Sequence, residues 1–189
     1  MTIERRKTAP VTVGGVVIGG DAPIAVQSMC STDTHDMAAC LAQTEALEAA
    51  GCDIVRLAAP DKESAATFAY LKEHGVTVPL VADIHFDYRI ALECAAAGAD
   101  KIRINPGNIG DDERVRAVVM ACRERHLPIR IGVNSGSLEK ELGSLDKKLS
   151  LLLSAPQQYF VKFCEHLLCA SPRAKCFTSI ISLNSNKNL

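Results

Sequence analysis

The sequence predicts an α/β fold, a partial TIM-type (β/α) barrel with about five parallel strands and an N-terminal β-hairpin. Short apolar runs alternate with helical patterns that stop at glycine, which is typical of a parallel sheet covered on both faces. Segments 49–57 and 96–104 also share Ala-Ala-Gly followed by Asp and Arg. Repeated units that place a polar group at the carboxyl end of each strand form the active sites of α/β barrels.

The size and charge of the chain limit the classes of fold and partner that the sequence can have. Its 189 residues suit one domain or part of a larger one, whereas a complete barrel of this type needs about 250 residues. The chain is 48% hydrophobic with a net charge of -1, which excludes a basic nucleic-acid surface and a disordered acidic segment. A small molecule is therefore the expected partner, with no nucleic acid and no membrane.

The N-terminus and the cysteines predict a cytoplasmic protein. The first ten residues are charged and lead into a glycine-broken apolar stretch, which suits neither a signal peptide nor a membrane span. The eight cysteines are scattered along the chain, and Cys40, Cys94 and Cys122 fall on apolar faces of predicted helices. Buried, reduced thiols are expected rather than disulfides.

The first elements follow from turn and periodicity signals. Gly14-Gly15 separates two β-branched runs, Val11–Val13 and Val16–Ile18, and predicts a hairpin outside the repeat. Ile24 to Ser28 is predicted as the first buried strand. A helix stopped by Gly51 should follow, with an inward stripe of Met37, Cys40, Leu41, Thr44 and Leu47.

Four more strands are predicted, three of them followed by helices. Asp111 should cap the last helix, whose Val115, Val118, Val119 and Cys122 keep a helical spacing. The strands are predicted at 53–57, 79–83, 101–104 and 128–133, and the first two of their helices at 61–74 and 87–97.

The composition changes near Leu142. All 12 glycines lie at or before Gly143, while three of the five phenylalanines and three of the eight cysteines lie after Leu149. We therefore expect a truncated substrate-binding barrel domain at 1–142 and a divergent tail at 143–189 that is not a domain. An abrupt change of this kind favours another reading frame over gradual divergence.

Three arginines lie at equivalent positions in the predicted strands and predict an anion site. Arg56, Arg103 and Arg130 should converge at one mouth of the barrel, and guanidinium groups bind phosphate oxygens bidentately. The alternative is that each arginine pairs with a carboxylate such as Asp83. Three arginines at repeated positions favour the anion site.

Other polar residues give weaker signals. His85, just beyond a strand, could donate to a substrate oxygen or be an ordinary loop residue. The remaining histidines show no metal-ligand spacing, and the tail cysteines Cys164, Cys169 and Cys176 match no zinc or iron-sulfur pattern. Segment 107–110 precedes a helix and is a weak candidate phosphate loop.

Five segments in order resemble the N-terminal half of the 4-hydroxy-3-methylbut-2-enyl diphosphate synthase family. The resemblance covers about Arg5 to Leu142. It implies an oxidoreductase of non-mevalonate isoprenoid (terpenoid) biosynthesis that reductively opens 2-C-methyl-D-erythritol 2,4-cyclodiphosphate to 4-hydroxy-3-methylbut-2-enyl diphosphate. The segments are 23–29, 53–56, 81–86, 101–109 and 130–140.

The resemblance also implies roles for residues and partners. Arg56, Arg103 and Arg130 would clamp the diphosphate, and none of the matched residues would be catalytic. In the family, a C-terminal iron-sulfur domain holds a [4Fe-4S] cluster on three cysteines and a glutamate, flavodoxin or ferredoxin donates electrons, and the enzyme is a homodimer. We expect this domain and its cluster ligands to be absent from this chain. The residues that would bind the rest of the substrate are Gln27, Asp83, His85, Asn105 and Asn134.

The sequence leaves several functions open. The chain could be an inactive fragment of the family enzyme, a non-catalytic anion-binding half-barrel, or an inert frameshift product. A pterin-binding synthase barrel has similar architecture, but the five ordered motifs disfavour it.

Overall fold

A six-stranded parallel sheet, covered by helices, forms most of the structure. The computed structural model describes residues 8–132 and a strand at 160–162. Strand order follows chain order from β3 to β8, and each neighbouring pair is parallel. The strands are β1 Val11–Val13, β2 Val16–Ile18, β3 Gln27–Met29, β4 Ile54–Ala59, β5 Leu80–Ile84, β6 Lys101–Ile104, β7 Ile129–Ile131 and β8 Phe160–Lys162. The helices are α1 Met37–Ala49, α2 Ala65–Glu73, α3 Tyr88–Ala96, α4 Pro106–Ile109 and α5 Asp112–Glu124.

The helices begin and end where the sequence provides caps and stops. Asp36, Asp87 and Asp111 each accept a hydrogen bond from a backbone N–H in the first turn of α1, α3 and α5. After α1, Gly51 adopts φ 86°, a left-handed conformation that glycine reaches without strain and that lets the chain turn into β4. The predicted inward residues of α5 are all buried, so its helical spacing is confirmed.

The two faces of the sheet differ because side chains alternate along each strand. Val55 and Leu57 of β4 and Leu80 and Ala82 of β5 face the helices and join the main apolar core. Residues between them face the other way. At the amino ends of the strands this inner face is apolar, since Val13 of the β1–β2 hairpin packs with Ile54 and Val81 in a separate cluster. The hairpin therefore covers the amino end of the barrel interior.

The structure corrects the prediction of the first strand. Ile24 and Val26 are 74% and 56% exposed, and β3 begins only at Gln27, so the predicted buried strand at 24–28 is misplaced. The apolar run Ile24-Ala25-Val26 predicted burial there, but Val26 instead lies beside Asp53, whose carboxylate accepts a hydrogen bond from the Val26 N–H.

Two further features differ from the sequence analysis. Segment 107–110 is not an open loop, because Pro106 to Ile109 form the short helix α4 and Asn105 caps it. The expected tail at 143–189 also contributes strand β8, which pairs in parallel with β7. The expected buried thiols are confirmed for five cysteines in the described part of the chain, Cys30, Cys40, Cys52, Cys94 and Cys122.

Candidate functional site

Asp83 lies at the centre of a buried charged cluster on the inner face of the sheet. Its side chain is 1% exposed, and the two flanking strands each supply an arginine. Arg56 of β4 donates from Nε at 3.0 Å and from Nη2 at 2.5 Å to Oδ2 of Asp83. Arg103 of β6 donates from Nη1 to Oδ1 at 2.9 Å. One carboxylate thus holds two guanidinium groups in place through charge-assisted hydrogen bonds.

The charge state of Asp83 follows from these partners. Burial raises the pKa of Asp83, but the hydrogen bond from Arg56 and the charges of Arg103 and Arg56 oppose it more strongly, so that the pKa lies below its ordinary value. Asp83 is therefore ionised at neutral pH. The alternative in which the arginines pair with Asp83 holds for Arg56 and Arg103.

Arg130 of β7 adds a third guanidinium beside this pair. Its Cα lies opposite that of Arg103 in the parallel ladder, and its side chain is buried. Arg103 lies tightly against Gly132, the residue after β7, because a Cβ added to Gly132 would be 2.7 Å from both Nε and Nη2 of Arg103. A larger residue at position 132 would therefore require the guanidinium of Arg103 to shift. The Nε of Arg103 is buried and has no hydrogen-bond partner among the described residues.

The register explains how arginines two strands apart meet. Arg56 lies opposite Val81, whereas Arg103 lies opposite Asp83, so the ladder offsets the two arginines by two residues. In an eight-stranded barrel of shear number eight the register drifts by about one residue per strand. An offset of two residues over two strands matches this drift, so Arg56 and Arg103 lie at the same level of the barrel interior. Their equivalent positions in the repeated sequence predict the same arrangement.

Lys101 belongs to the same cluster, although the sequence analysis did not include it among the site residues. It is 4% exposed and lies two residues before Arg103 in β6, on the same inner face. Burial, together with the charges of Arg130 and Arg56, lowers the pKa of Lys101 to about 8. Its signal was in the repeat, where Lys101 takes the position that Ile54 occupies in the earlier unit.

His85 and Asn105 border the cluster without bonding to it directly in the described contacts. His85 is 43% exposed, and its Nε2 lies 3.6 Å from Oδ2 of Asp83, which is too long for a hydrogen bond. Asn105 is 2% exposed and its side chain accepts a hydrogen bond from the N–H of Gly107 at 3.1 Å. Asn105 therefore fixes the turn that follows β6.

The remaining two predicted substrate-binding residues are Gln27 and Asn134. Gln27 begins β3 opposite Ile54, two residues before the level of Arg56, so the register does not place it directly beside the arginines. Asn134 lies outside the described residues.

A separate surface cavity lies near the carboxyl end of the sheet. It encloses about 400 Å³ and shares no residue with the charged cluster. Its lining comes from the segment after β5, the start of α3, and α4 and α5, namely Phe86, Asp87, Tyr88, Arg89, Ile109 and Arg114.

The described cysteines do not fit an iron-sulfur cluster. Within residues 8–132, no three His, Cys, Asp or Glu side chains come together as a metal site. Cluster ligands are several cysteine thiolates brought together in space, whereas burial raises the pKa of both Cys94 and Cys122 to about 12, as expected for thiols packed in an apolar core. Their role in this part of the chain is packing.

The fold and the site define an α/β-barrel domain with a buried cationic site on its inner face. The described helices include none long and apolar enough to cross a membrane. Comparison with family models gives a match to the GcpE TIM-barrel domain over residues 8–170. The chain belongs to this family. The match continues past Leu142, where the sequence analysis places the end of the barrel domain.

Individual relatives agree with this assignment. The chain is 62% identical over 140 residues to 4-hydroxy-3-methylbut-2-en-1-yl diphosphate synthase (flavodoxin) of Pseudomonas syringae pv. tomato, and 61% identical to the enzyme of that name from Azotobacter vinelandii. Each alignment covers 74% of this chain and 38% of the relative. The chain therefore matches well under half the length of these curated relatives.

A solved structure supports the fold alone. The phospho-2-dehydro-3-deoxyheptonate aldolase of Thermotoga maritima superposes with a TM-score of 0.56 at 13% identity, covering 82% of this chain and 45% of the aldolase. At this identity the likeness concerns barrel architecture.

Proposed function

We propose that this chain is the substrate-binding barrel portion of a 4-hydroxy-3-methylbut-2-enyl diphosphate synthase and that its cationic cluster binds the diphosphate of 2-C-methyl-D-erythritol 2,4-cyclodiphosphate. Arg56, Arg103 and Arg130 are the proposed diphosphate ligands. The other residues proposed to contact the substrate are Gln27, Asp83, His85, Asn105 and Asn134.

The gathering of buried cationic side chains in the cluster is the observation that supports the proposal. Arg56 and Arg103 share the carboxylate of Asp83, and Arg130 and Lys101 are buried near them on the inner face. Cationic side chains gathered in this way supply the positive charge and the hydrogen-bond donors that bind an anion. A diphosphate has enough oxygens to engage several guanidinium groups at once. Asp83 would then position two of them rather than neutralise the site.

Turnover is not proposed for this chain alone. The chain aligns with 38% of its relatives' length, and the described cysteines do not fit the [4Fe-4S] cluster that the family resemblance implies. We propose that the flavodoxin named for the relatives, or a ferredoxin, acts on the whole enzyme, a cytoplasmic homodimer. The division into a barrel at 1–142 and a divergent tail at 143–189 is likewise a proposal.

Titration calorimetry with the cyclic diphosphate tests the proposal. We compare the wild-type chain with Arg130→Gln, because Arg56 and Arg103 also hold Asp83 and their loss would disturb the fold. Removing one charged ligand should weaken binding by roughly tenfold or more. Raising salt from about 50 to about 200 mM should weaken wild-type binding, because ions screen the attraction between the diphosphate and the cationic cluster.

The matched control is Arg125→Gln, which removes an exposed arginine at the end of α5. It should bind the cyclic diphosphate as the wild-type chain does. Equal affinity of the wild-type and Arg130→Gln chains, or no binding by a folded wild-type chain, would contradict the proposal.

A further inference from the structure

Lys101 occupies an unusual position for a lysine. It lies in the centre of the sheet, between β5 and β7, and is 4% exposed. Its Cα is opposite that of Val81, which belongs to the apolar cluster at the amino end of the barrel. Arg103 lies two residues further along the same face. Lys101 therefore lies one level deeper than Arg103, at the boundary between the apolar and the charged halves of the interior.

The neighbours of Lys101 do not compensate its charge. Among the described residues, its ammonium group has no hydrogen-bond acceptor and no ion-pair partner, and the charges that act on it are those of Arg130 and Arg56. The nearby carboxylate, Asp83, accepts hydrogen bonds from Arg56 and Arg103 on its two oxygens. A buried ammonium placed among guanidinium groups is costly to protonate.

A bound anion would reverse this cost. Phosphate oxygens bound among the arginines would place negative charge near the Lys101 ammonium. The ammonium has three N–H donors with which it can bind these oxygens. The buried Nε of Arg103, one level above Lys101 on the same strand, has no hydrogen-bond partner in the described part of the chain. An anion bound there would provide the acceptor that this N–H lacks.

We propose that Lys101 forms the floor of the anion site as its fourth cationic ligand, and that it takes up one proton from solvent when the anion binds. The inference rests on the proposed function only in taking the cyclic diphosphate as the natural anion. Any compact oxyanion that reaches the cluster should have the same effect on Lys101.

Proton uptake distinguishes Lys101 from the other charged groups that face it. The guanidinium groups of Arg56, Arg103 and Arg130 remain protonated at all relevant pH values. Asp83 is already ionised, since its pKa is lowered. Because the pKa of Lys101 is lowered to about 8, half of the Lys101 side chains lack a proton near that pH before the anion binds. His85 is the remaining titratable neighbour, and a His85→Gln chain measures its contribution.

The experiment is calorimetric titration with two probes, sulfate and the cyclic diphosphate, in two buffers of different ionisation enthalpy. Neither probe titrates near neutral pH, so any proton that moves belongs to the protein. At about pH 8 the wild-type and His85→Gln chains should take up about half a proton per anion, and at about pH 6 almost none. This pH dependence needs no variant at position 101.

The Lys101→Met variant keeps the length of the side chain and removes its charge. It should bind both probes roughly tenfold more weakly and take up no proton at about pH 8. Lys62→Met, which removes an exposed lysine in the segment before α2, is the matched control and should behave as wild type. Circular dichroism establishes that each variant is folded.

The outcomes separate this inference from the proposed function. Binding of sulfate with Lys101-dependent proton uptake supports the role of Lys101 even if the cyclic diphosphate does not bind, a result that would refute only the proposed function. Anion binding with no proton uptake at about pH 8, or with equal uptake by Lys101→Met, would refute the role of Lys101 alone. If neither probe binds the folded wild-type chain, both are wrong.

Discussion

The two ends of the barrel interior differ although the same strands form both. On β4, Ile54 and Arg56 share the inner face two residues apart, and on β5 Val81 and Asp83 do the same. At the amino end, Ile54 and Val81 pack against Val13 of the hairpin. At the carboxyl end, Arg56 and Asp83 form part of the charged cluster. One step along each strand therefore changes the interior from apolar to ionic.

The apolar end of the interior contributes mainly to stability, whereas the ionic end is the candidate binding site. The apolar end gains free energy from burial and needs only complementary shape. At the ionic end each buried charge costs desolvation free energy, which ion pairs such as those of Asp83 offset. In barrel enzymes the carboxyl end is where active sites lie. A substitution at one end should affect stability alone, and one at the other end should affect both stability and binding.

The largest effect should come from Asp83→Asn. The amide removes the charge that Arg56 and Arg103 share, so two buried guanidinium groups lose their common partner. Breaking a buried ion pair in this way costs about 3–5 kcal/mol of unfolding free energy. Urea unfolding followed by circular dichroism measures it, with the exposed Asp21→Asn as the control. A loss no larger than that of the control would mean that Asp83 does not hold the cluster together.

The same variant should change the acid dependence of stability. The pKa of Asp83 is lowered in the folded state, so its contribution is fully present above the unfolded pKa of about 3.9 and is lost as pH falls through the lower folded value. Asp83→Asn should lack this part of the acid destabilisation. Wild-type and variant stabilities should therefore converge as the pH falls.

The apolar end should give a smaller effect that leaves binding unchanged. Ile54→Ala removes a side chain that is 1% exposed beneath the hairpin, and such truncations cost about 2–5 kcal/mol, depending on how far the cavity collapses. We expect the lower half of that range, because the hairpin can settle onto the space. Affinity for sulfate, measured on the folded variant, should equal that of wild type. The exposed Val17→Ala is the control, and a large loss of sulfate affinity in Ile54→Ala would show that the two ends are coupled.

Much of the fold could be predicted because its signals are local. Gly14-Gly15 predicted the hairpin, and Val115, Val118 and Cys122 predicted the buried face of α5. The first strand was misplaced because the apolar run at 24–26 was interpreted as a buried strand. Burial there depends on which elements cover the edge of the sheet, and a local pattern does not contain that information.

The site could be predicted only in part, for a related reason. Repeated strand positions predicted that the arginines converge. The sharing of Asp83 by Arg56 and Arg103 depends on strand register, and the space for Arg103 depends on Gly132, the residue after β7. Lys101 was missed because a single lysine in a strand is usually exposed. Only the order of strands in the sheet places it in the interior.

The smallest effect should come from a pairing of the opposite kind at the surface. Asp83 is one buried carboxylate between two cations, whereas His35 is one exposed cation between two carboxylates. Its Nδ1 lies 2.8 Å from Oδ1 of Asp33 and its Nε2 2.8 Å from Oδ2 of Asp61. Ionised carboxylates only accept, so both ring nitrogens donate when the imidazole is protonated. These hydrogen bonds, first the one to Asp33 and then the one to Asp61, raise the pKa of His35. The bridge should therefore stabilise the fold fully below the unfolded pKa of about 6.5 and cease to do so as pH rises through the higher folded value. The expected effect of removing this bridge is small. Because His35 is 45% exposed, solvent screens the bridge, and His35→Gln should lower the melting temperature only slightly at about pH 5 and not at all at about pH 9. Thermal melts of the wild-type and His35→Gln chains across this pH range test the prediction. A loss that grows with pH, or one as large as that of Asp83→Asn, would mean that exposure does not set the difference between the two pairings.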